Sequence, residues 1–232
     1  MKLLALDTAT EACSVALWLD GALDVEAVEL AHGHAAHLLP MIDARLAAHG
    51  LRLADLDAIA VGRGPGGFTG LRLAVSVAQG LAFGADLPAI GISNLAAVAQ
   101  AILMRDAAAS HVLVANDARM KEVYTALYER GDDGLAALVG AERVASPDRV
   151  TADGLRAARV VGAGRGFRAY PQLAARLRGQ LDAIDDAILP DAGAIATLAV
   201  AALRTGQAVA PEGLQPVYLR DDVAVPSVTV LQ

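Results

Sequence analysis

The segment from Gly62 to Arg72, GRGPGGFTGLR, is the part of the sequence that most resembles a ligand-binding loop. It follows a short apolar run, Ala58 to Val61, and contains two glycine spacings found in nucleotide-binding turns. The spacing G-x-G-x-x-G predicts a dinucleotide site, but that site needs an acid at the end of the next strand, where Ser93 stands. The spacing G-x-x-x-x-G-x-T predicts a P-loop, but Phe68 occupies the lysine position. Both nucleotide interpretations therefore lack their charged side chain.

A structural role is the better explanation of the same glycines. Glycine permits a tight turn from strand to helix and lets another backbone approach closely. Thr69 is then placed to cap the helix that follows the turn. We therefore expect the loop to shape the fold and not to bind phosphate.

Two aspartates end apolar strands at corresponding points, Asp7 after LLAL and Asp117 after LVAN. A lone aspartate at a strand end is most often a turn residue. If the two halves of the chain are duplicates, however, Asp7 and Asp117 would face each other across a cleft between two lobes. Cys13, the single cysteine, has no base that the sequence places beside it and cannot form an internal disulfide. A single cysteine without a disulfide partner is typical of a protein in the reducing cytoplasm.

Three histidines, His32, His34 and His37, have a spacing that could suit a metal ion. A structural metal site needs four ligands, and the acids nearby are Glu29 and Asp43, with no cysteine pair. A surface cluster is the favoured interpretation, and we expect the chain to hold no metal. The sequence also contains neither H-E-x-x-H nor G-x-S-x-G, so it predicts no metalloprotease or serine hydrolase.

The amino-acid composition argues against two classes of protein, an RNA binder that acts alone and a membrane protein. The 232 residues carry a net charge of −7, and only 3% are aromatic, which argues against a chain that binds RNA by itself. One basic stretch stands out, although a solvated surface is its favoured interpretation. Its members are Arg156, Arg159, Arg165, Arg168, Arg176 and Arg178. The hydrophobic content of 55% is rich in alanine, and apolar runs such as Ala194 to Leu203 predict buried helices and no membrane segment.

The predicted elements alternate between strands and helices, which indicates an α/β fold. In the first half we expect strands at 3–6, 14–19, 22–30, 58–61 and 89–92, and helices at 34–49, 69–84 and 95–104. In the second half we expect a strand at 160–161 and helices near 170–178 and 192–204, followed by an extended tail over 211–232. The expected lobes are residues 1–105 and 106–232, and the helix near 190–206 could pack back onto the first lobe.

The two halves show an internal similarity at a constant offset of 110 residues. Asp7 aligns with Asp117, and without a gap Ala16-Leu17 aligns with Ala126-Leu127. Each half begins with an apolar strand that ends in aspartate and continues through a short turn into a second strand. This similarity predicts a duplicated architecture of two packed lobes.

The helix expected at 69–84 is apolar on more than one side, which predicts that one side meets another subunit. Small residues beside it would let a second backbone approach. The predicted partner interface consists of Phe68, Thr69, Leu71, Val75, Ala78 and Ala82.

Five segments in order along the chain resemble the TsaB family, also called YeaZ-like. They are LALDTAT (4–10), GPGGFTGLR (64–72), GLAF (80–83), DARMKEVY (117–124) and PVYLR (216–220). They span nearly the whole chain. One position departs from the family, because Gly67 stands where serine is usual, and glycine tolerates the same turn.

This resemblance implies a two-lobed actin-like fold (ASKHA), made of two ribonuclease-H-like halves, and a role without catalysis. TsaB-like proteins pair with the related catalytic subunit, TsaD, and with a small ATPase, TsaE, to place threonylcarbamoyl on adenosine in tRNA. The catalytic relative carries H-x-x-x-H on the helix after its equivalent of Ala89 to Ile92. In this chain Asn94 and Val98 fall on the two histidine positions, and this pair cannot bind a metal.

The resemblance therefore implies a scaffold that binds and activates a TsaD-like protein and recruits a TsaE-like ATPase. It implies a cytoplasmic homodimer when alone, with no bound cofactor, nucleotide only at complex interfaces, and tRNA contact only through the complex. The alternative is a self-sufficient ASKHA-type ATPase or small-molecule kinase, favoured by Asp7, Asp117 and the glycine turns at Gly64 and Gly162. A glycoprotease, a third alternative, has no peptidase motif in the sequence.

Overall fold

A computed structural model describes residues 1–152 and 159–220. Within them the chain forms two five-stranded mixed sheets, each with helices. Arg156 and the tail after residue 220, both named above, lie outside the described residues.

The first sheet is built by the N-terminal part of the chain, with strand order β3-β2-β1-β4-β5. Its strands are β1 (Lys2–Asp7), β2 (Ala12–Leu19), β3 (Ala22–Glu29), β4 (Ala58–Gly62) and β5 (Ala89–Ile92). The helices of this part are α1 (His34–Ala48), α2 (Phe68–Ala85) and α3 (Asn94–Arg105), with a 3-10 turn at Leu53–Asp55. The first three strands are antiparallel neighbours, whereas β1, β4 and β5 run parallel.

The second sheet repeats this arrangement with strand order β10-β9-β6-β7-β8. Its strands are β6 (His111–Asp117), β7 (Val123–Arg130), β8 (Ala136–Ala145), β9 (Val160–Ala163) and β10 (Ala183–Asp185). Its helices are α4 (Gly166–Ala169), α5 (Pro171–Leu177) and α6 (Ala192–Arg204), and 3-10 turns lie at Pro147–Arg149 and Pro211–Gly213. Each sheet thus has the same sequence of antiparallel and parallel neighbours, which confirms the two-lobed, actin-like α/β fold and its duplication.

The gapless alignment of the two halves is wrong by one residue in the second strand. In the first sheet Ala5 pairs with Ala16. Its counterpart Ala115 pairs with Thr125 and not with Ala126. The connection between the last paired residues is therefore one residue shorter in the second sheet, from Asp117 to Val123, than in the first, from Asp7 to Ser14. Because side chains alternate between the faces of a strand, the identity at Ala16 and Ala126 does not mark equivalent positions.

Two helices each pack against the sheet of the other half of the chain, and together they build the central core. The helix α3 follows the first sheet but packs against the second, whereas α6 follows the second sheet and packs against the first. Their buried side chains, such as Val98 and Ile195, join residues of both sheets in one apolar cluster. The alanine-rich sequence suits this packing, because small side chains allow helices and sheets to approach closely.

Candidate functional site

The glycine-rich loop packs against the turn between β1 and β2. The amide of Gly67 donates to the carbonyl of Ala9 at 2.7 Å, and the Thr8 hydroxyl donates to the carbonyl of Gly70 at 2.6 Å. A Cβ atom at Gly70 would lie 2.0 Å from the Thr8 carbonyl oxygen, and one at Gly66 would lie 2.6 Å from that of Ala9. The glycines thus make room for the chain's own backbone, which confirms their structural interpretation.

Thr69 does not cap the helix as expected. The N-cap of α2 is Gly67, and no side chain there accepts a hydrogen bond from the first turn. Thr69 lies one residue inside the helix and is exposed. The helix begins earlier than predicted because the loop's backbone bonds to Ala9 already fix Gly67 in an extended conformation.

Asp7 is the most perturbed acid near this loop. Its side chain is 0% exposed, and its two oxygens accept hydrogen bonds from Asn94 Nδ2 (2.6 Å) and from the Ala9 amide (3.2 Å). Burial raises the pKa of Asp7 to about 7, against the opposing effect of the two hydrogen bonds. A Cβ atom at Gly62 would lie 2.0 Å from Asp7 Oδ1, so only glycine leaves room for this contact.

The two positions expected from the resemblance to correspond to histidines, Asn94 and Val98, have structural roles here. Asn94 is fully buried, and its amide group joins three elements. It donates to Asp7 at the end of β1 and accepts from the Gly64 amide at 2.7 Å. Val98, one turn further along α3, lies in the apolar core.

Asp117 has different surroundings from Asp7. It is partly exposed, and it accepts hydrogen bonds from the Tyr170 hydroxyl (3.0 Å) and the Arg119 amide (2.8 Å). The prediction that both aspartates line an open cleft is wrong for Asp7, because its side chain has no exposed surface. The duplication preserved the strand ends but not the environment of the two acids.

Ion pairs join the lobes near Asp117. Glu11 of the first lobe lies 3.5 Å from Arg119 and 3.5 Å from Arg165, both of the second lobe. Arg165 also contacts Glu29 at 2.6 Å. Pairs with this much exposure contribute up to about 1 kcal/mol each, so they orient the lobes more than they stabilise them.

The described arginines of the basic stretch have partners in most cases. Arg159 pairs with Asp106 at 2.7 Å and Arg168 with Asp186 at 3.2 Å. Arg176 donates to the backbone carbonyls of Pro147 and Val150. These contacts favour the interpretation of a solvated surface over a phosphate-binding one.

The histidines expected to form a surface cluster lie at the start of α1. His32 and His37 are exposed, and His34 is half-buried. Within residues 1–152 and 159–220, no three metal-ligating side chains come together. The expectation that the chain holds no metal stays a prediction.

The stripe predicted as a partner interface is the core-facing side of α2. Leu71, Val75, Ala78 and Ala82 are each at most 3% exposed, and they pack with the buried residues of β1 and β4. The prediction is wrong for these four residues, because the first sheet covers the side on which they lie. Phe68, which is 56% exposed, is the large apolar residue of the predicted set that remains at the surface.

The outer side of α2 combines small residues with large aromatic ones. Ser76, Gly80 and Gly84 follow one another at intervals of four and are exposed. Phe68 and Phe83 lie at the two ends of the helix, and Phe83 is 77% exposed. We call this side, from Phe68 to Gly84, the outer face of α2. The sequence contained its signal, namely glycines inside an apolar helix, but the regular spacing of the core residues concealed it.

A segment from the C-terminal part of the chain crosses the start of the outer face. The Val217 amide donates to the Arg63 carbonyl at 2.7 Å. The Tyr218 hydroxyl accepts from Arg72 Nε at 2.8 Å, and the Arg72 guanidinium lies 3.7 Å from the centre of the Phe68 ring. Arg72 thereby packs on the face of Phe68 and lies beside the Tyr218 ring, 5.7 Å from its centre.

Among the described residues, α2 is long and apolar enough to cross a membrane by length and composition alone. A single helix of this kind is a weak indication, because core helices of water-soluble proteins pass the same test. In this chain one side of α2 belongs to the core of the first lobe.

Comparison with known proteins identifies the family. The chain is 41% identical to the tRNA threonylcarbamoyladenosine biosynthesis protein TsaB of Escherichia coli, over 97% of this chain and 96% of that protein. The chain belongs to the TsaB family. The TsaB of Haemophilus influenzae is also 41% identical, over 96% of this chain and 95% of its own length.

A solved structure supports the same assignment to the TsaB family. YeaZ from Pseudomonas aeruginosa superposes with a TM-score of 0.87 at 43% identity, covering 94% of this chain and 99% of that one. Residues 28–225 also match the broader family described as TsaD, tRNA N6-adenosine threonylcarbamoyltransferase. This TsaB-family chain therefore shares a common architecture with the transferase family, although Asn94 and Val98 stand at the expected ligand positions.

Proposed function

We propose that this chain is a non-catalytic partner subunit in the formation of threonylcarbamoyladenosine in tRNA. The names of its full-length relatives place them in that biosynthesis. The observation that carries the non-catalytic part is the state of Asn94, whose amide donates to Asp7 and accepts from Gly64 while fully buried. With Val98 in the core, neither position offers a ligand atom to a metal ion.

The outer face of α2 supports the partner part of the proposal. Glycine inside a helix costs roughly 0.5–1 kcal/mol relative to alanine. Among the described residues, a Cβ atom at Gly80 or Gly84 would meet no atom within 4 Å beyond its own stretch of helix. The described part of the fold thus supplies no reason for these glycines, whereas a second backbone packed against this face would.

The aromatic residues at the ends of the same face fit this role. Exposed Phe68, Phe83 and Tyr218 surround the small residues, and Arg72 packs on the Phe68 ring. Aromatic residues and arginine are enriched at the centres of protein interfaces, where a few side chains contribute most of the affinity. The proposed interface therefore consists of the outer face of α2, including Phe68, and does not include the buried apolar stripe of the same helix.

The proposed partner is a TsaD-like catalytic protein, and a second copy of this chain takes its place when the partner is absent. The related fold makes this exchange reasonable, because two subunits of similar architecture can offer similar surfaces. We further propose that a TsaE-like ATPase joins the assembly, that nucleotide binds only at interfaces, and that tRNA is reached through the complex in the cytoplasm. The net charge of −7 supports the indirect contact with tRNA.

The alternative, a self-sufficient ATPase or kinase of the same fold, has one observation in its favour. A carboxyl group with a pKa near 7, as at Asp7, is suited to general base catalysis. Against it, Asp7 has no exposed surface, and both of its oxygens are occupied by groups of the same chain.

The experiment compares the purified chain alone with the chain plus its TsaD-like and TsaE-like partners, in ATP hydrolysis and in threonylcarbamoyl transfer to tRNA. We expect no activity from the chain alone and full transfer only when all the proteins are combined. Steady ATP turnover by the single chain, lost in Asp7→Ala, would establish the alternative instead.

A second arm locates the partner surface. Phe83→Asp should weaken partner binding by at least about 30-fold, because replacing an aromatic residue that contributes much of the affinity costs about 2 kcal/mol or more. Leu138→Asp is the matched control, since Leu138 is also an exposed large apolar residue but lies on β8 of the second lobe. If both variants bind the partner equally well, the interface lies elsewhere.

A further inference from the structure

Residues 214–220, which we call the C-terminal strap, cross from one lobe to the other. At the first lobe, Leu214 is buried in the core beside α2, and its carbonyl accepts from Gln79 Nε2 at 2.9 Å. Further along, the Val217 amide bonds to the Arg63 carbonyl. The strap is thus fixed at two points on the first lobe before it reaches Tyr218.

Gly64 shows how closely the strap lies on the glycine-rich loop. Its φ angle is +107°, and a Cβ atom there would lie 2.5 Å from the Val217 carbonyl oxygen. Both the backbone conformation and the contact require glycine at this position. The glycine-rich loop therefore has the backbone conformation and the space that its contact with the strap requires.

The other end of the strap is held by the second lobe. Arg220 pairs with Glu122 and donates to the carbonyl of Ala118 at 3.2 Å. Both partners belong to the turn between β6 and β7. The Arg220 side chain is 15% exposed and that of Glu122 is 36% exposed, so this pair is partly shielded from water.

Tyr218 lies between the two anchors, and its hydroxyl holds Arg72 against Phe68. We infer that Arg220 is a positioning residue for partner binding: by anchoring the strap to the second lobe, it holds Tyr218, and through it Arg72, at the start of the outer face of α2. This inference rests on the proposed function of that face. It makes the partner surface a product of both lobes, and it links partner binding to the turn between β6 and β7.

The first test needs no partner. In the isolated chain, Arg220→Gln should speed hydrogen–deuterium exchange of the Val217 amide and of the turn at residues 118–122. Arg178→Gln is the control, because it removes the same charge from an arginine of the second lobe that is exposed. Unchanged exchange at both places in Arg220→Gln would overturn the inference, whatever the partner does.

The second test measures affinity for the TsaD-like protein. Arg220→Gln should weaken binding roughly tenfold, in line with the loss of a hydrogen bond to a charged group. Tyr218→Phe, which keeps the ring and loses the bond to Arg72, should weaken it in the same direction. The charge exchange Arg220→Glu with Glu122→Arg should restore binding relative to either single change.

The outcomes separate the two proposals. If wild type does not bind the TsaD-like protein, the proposed function fails. If wild type binds it and Arg220→Gln binds equally well, the inference about Arg220 fails and the proposed function stands. A third readout is exchange at residues 118–122 on adding the partner, which should slow in wild type but not in Arg220→Gln; equal slowing in both would also overturn the inference.

Discussion

Replacing the buried acid at position 7 tests how burial of a carboxyl group at the end of β1 makes stability depend on pH. Burial raises the pKa of Asp7 from 3.8 to about 7. In the folded protein the carboxyl group is therefore neutral up to about pH 7, whereas in the unfolded chain it is ionised above about pH 4. Stability from this group is fully present below pH 3.8 and is lost as the pH rises to about 7.

The magnitude follows from the size of the shift. A change of about three pKa units at 1.36 kcal/mol each corresponds to about 4 kcal/mol of lost stability above pH 7. Between pH 5 and pH 8 the loss is about 3 kcal/mol, because part of it has occurred by pH 5. Asp7→Asn removes this dependence, since the amide has the same shape and no charge.

The Asp7→Asn substitution also lowers the free energy of unfolding by an amount that does not depend on pH. Both oxygens of Asp7 accept hydrogen bonds, from Asn94 and from the Ala9 amide. An asparagine has one acceptor oxygen, so one of the two donors loses its partner, at about 1–3 kcal/mol. Only the change in the difference between the two proteins, and not its absolute value, therefore reports the pKa of Asp7.

The assay is urea unfolding of wild type and Asp7→Asn at pH 5 and pH 8, followed by circular dichroism. The free energy of unfolding of the variant relative to wild type should rise by about 3 kcal/mol from pH 5 to pH 8. Asp86→Asn, at the exposed C-cap of α2, controls for the loss of one carboxylate. A difference that is the same at both pH values would refute the reasoning, because the two hydrogen bonds would then offset the whole effect of burial.

Two further predictions concern the opposite sides of α2. Gly80→Ala should raise the free energy of unfolding of the isolated chain by about 0.5–1 kcal/mol, because the new methyl group meets open space and glycine weakens a helix; the same change should lower affinity for the partner, and titration with the TsaD-like protein measures it. Val75→Glu should leave the chain largely unfolded or insoluble, because a charge would enter the core of the first lobe; a soluble, cooperatively melting Val75→Glu protein would show that this side is not core.

The strands at the start of each lobe could be predicted because several signals agree there. In β1 and β6 an apolar run ends in aspartate, and a turn and a second apolar run follow. The edge strand β8 was not predicted. Its sequence, AALVGAERVA, contains glycine and charged residues, and its middle is exposed on both faces, so it shows no alternation. Pairing with β7 makes it a strand, and pairing is a tertiary interaction.

The side of α2 that we propose as the partner surface could not be predicted from periodicity. Leu71, Val75, Ala78 and Ala82 form the most regular apolar stripe, and regularity is what a core-facing side requires. The informative residues are Gly80 and Gly84, two glycines inside the helix for which the described residues offer no packing reason. An apolar stripe alone does not indicate whether the protein core or a partner covers it. Glycines that destabilise an exposed side of a helix, with no packing reason in the described residues, favour a partner on that side.

The contacts of Asn94 show what this side chain does at a position where the resemblance predicts a metal ligand in the catalytic relative. In this chain position 94 must donate to a buried carboxyl group and accept from the Gly64 amide at the same time. A side-chain amide has one donor group and one acceptor on the same carbon and meets both demands while uncharged. An alanine at position 94 would leave Asp7 and the Gly64 amide without these partners in a site that water does not reach, which is costly. Asparagine therefore does more than fill the space of a missing ligand: it joins the first strand, the glycine-rich loop and the helix α3, and so supports the loop on which both the outer face of α2 and the C-terminal strap depend.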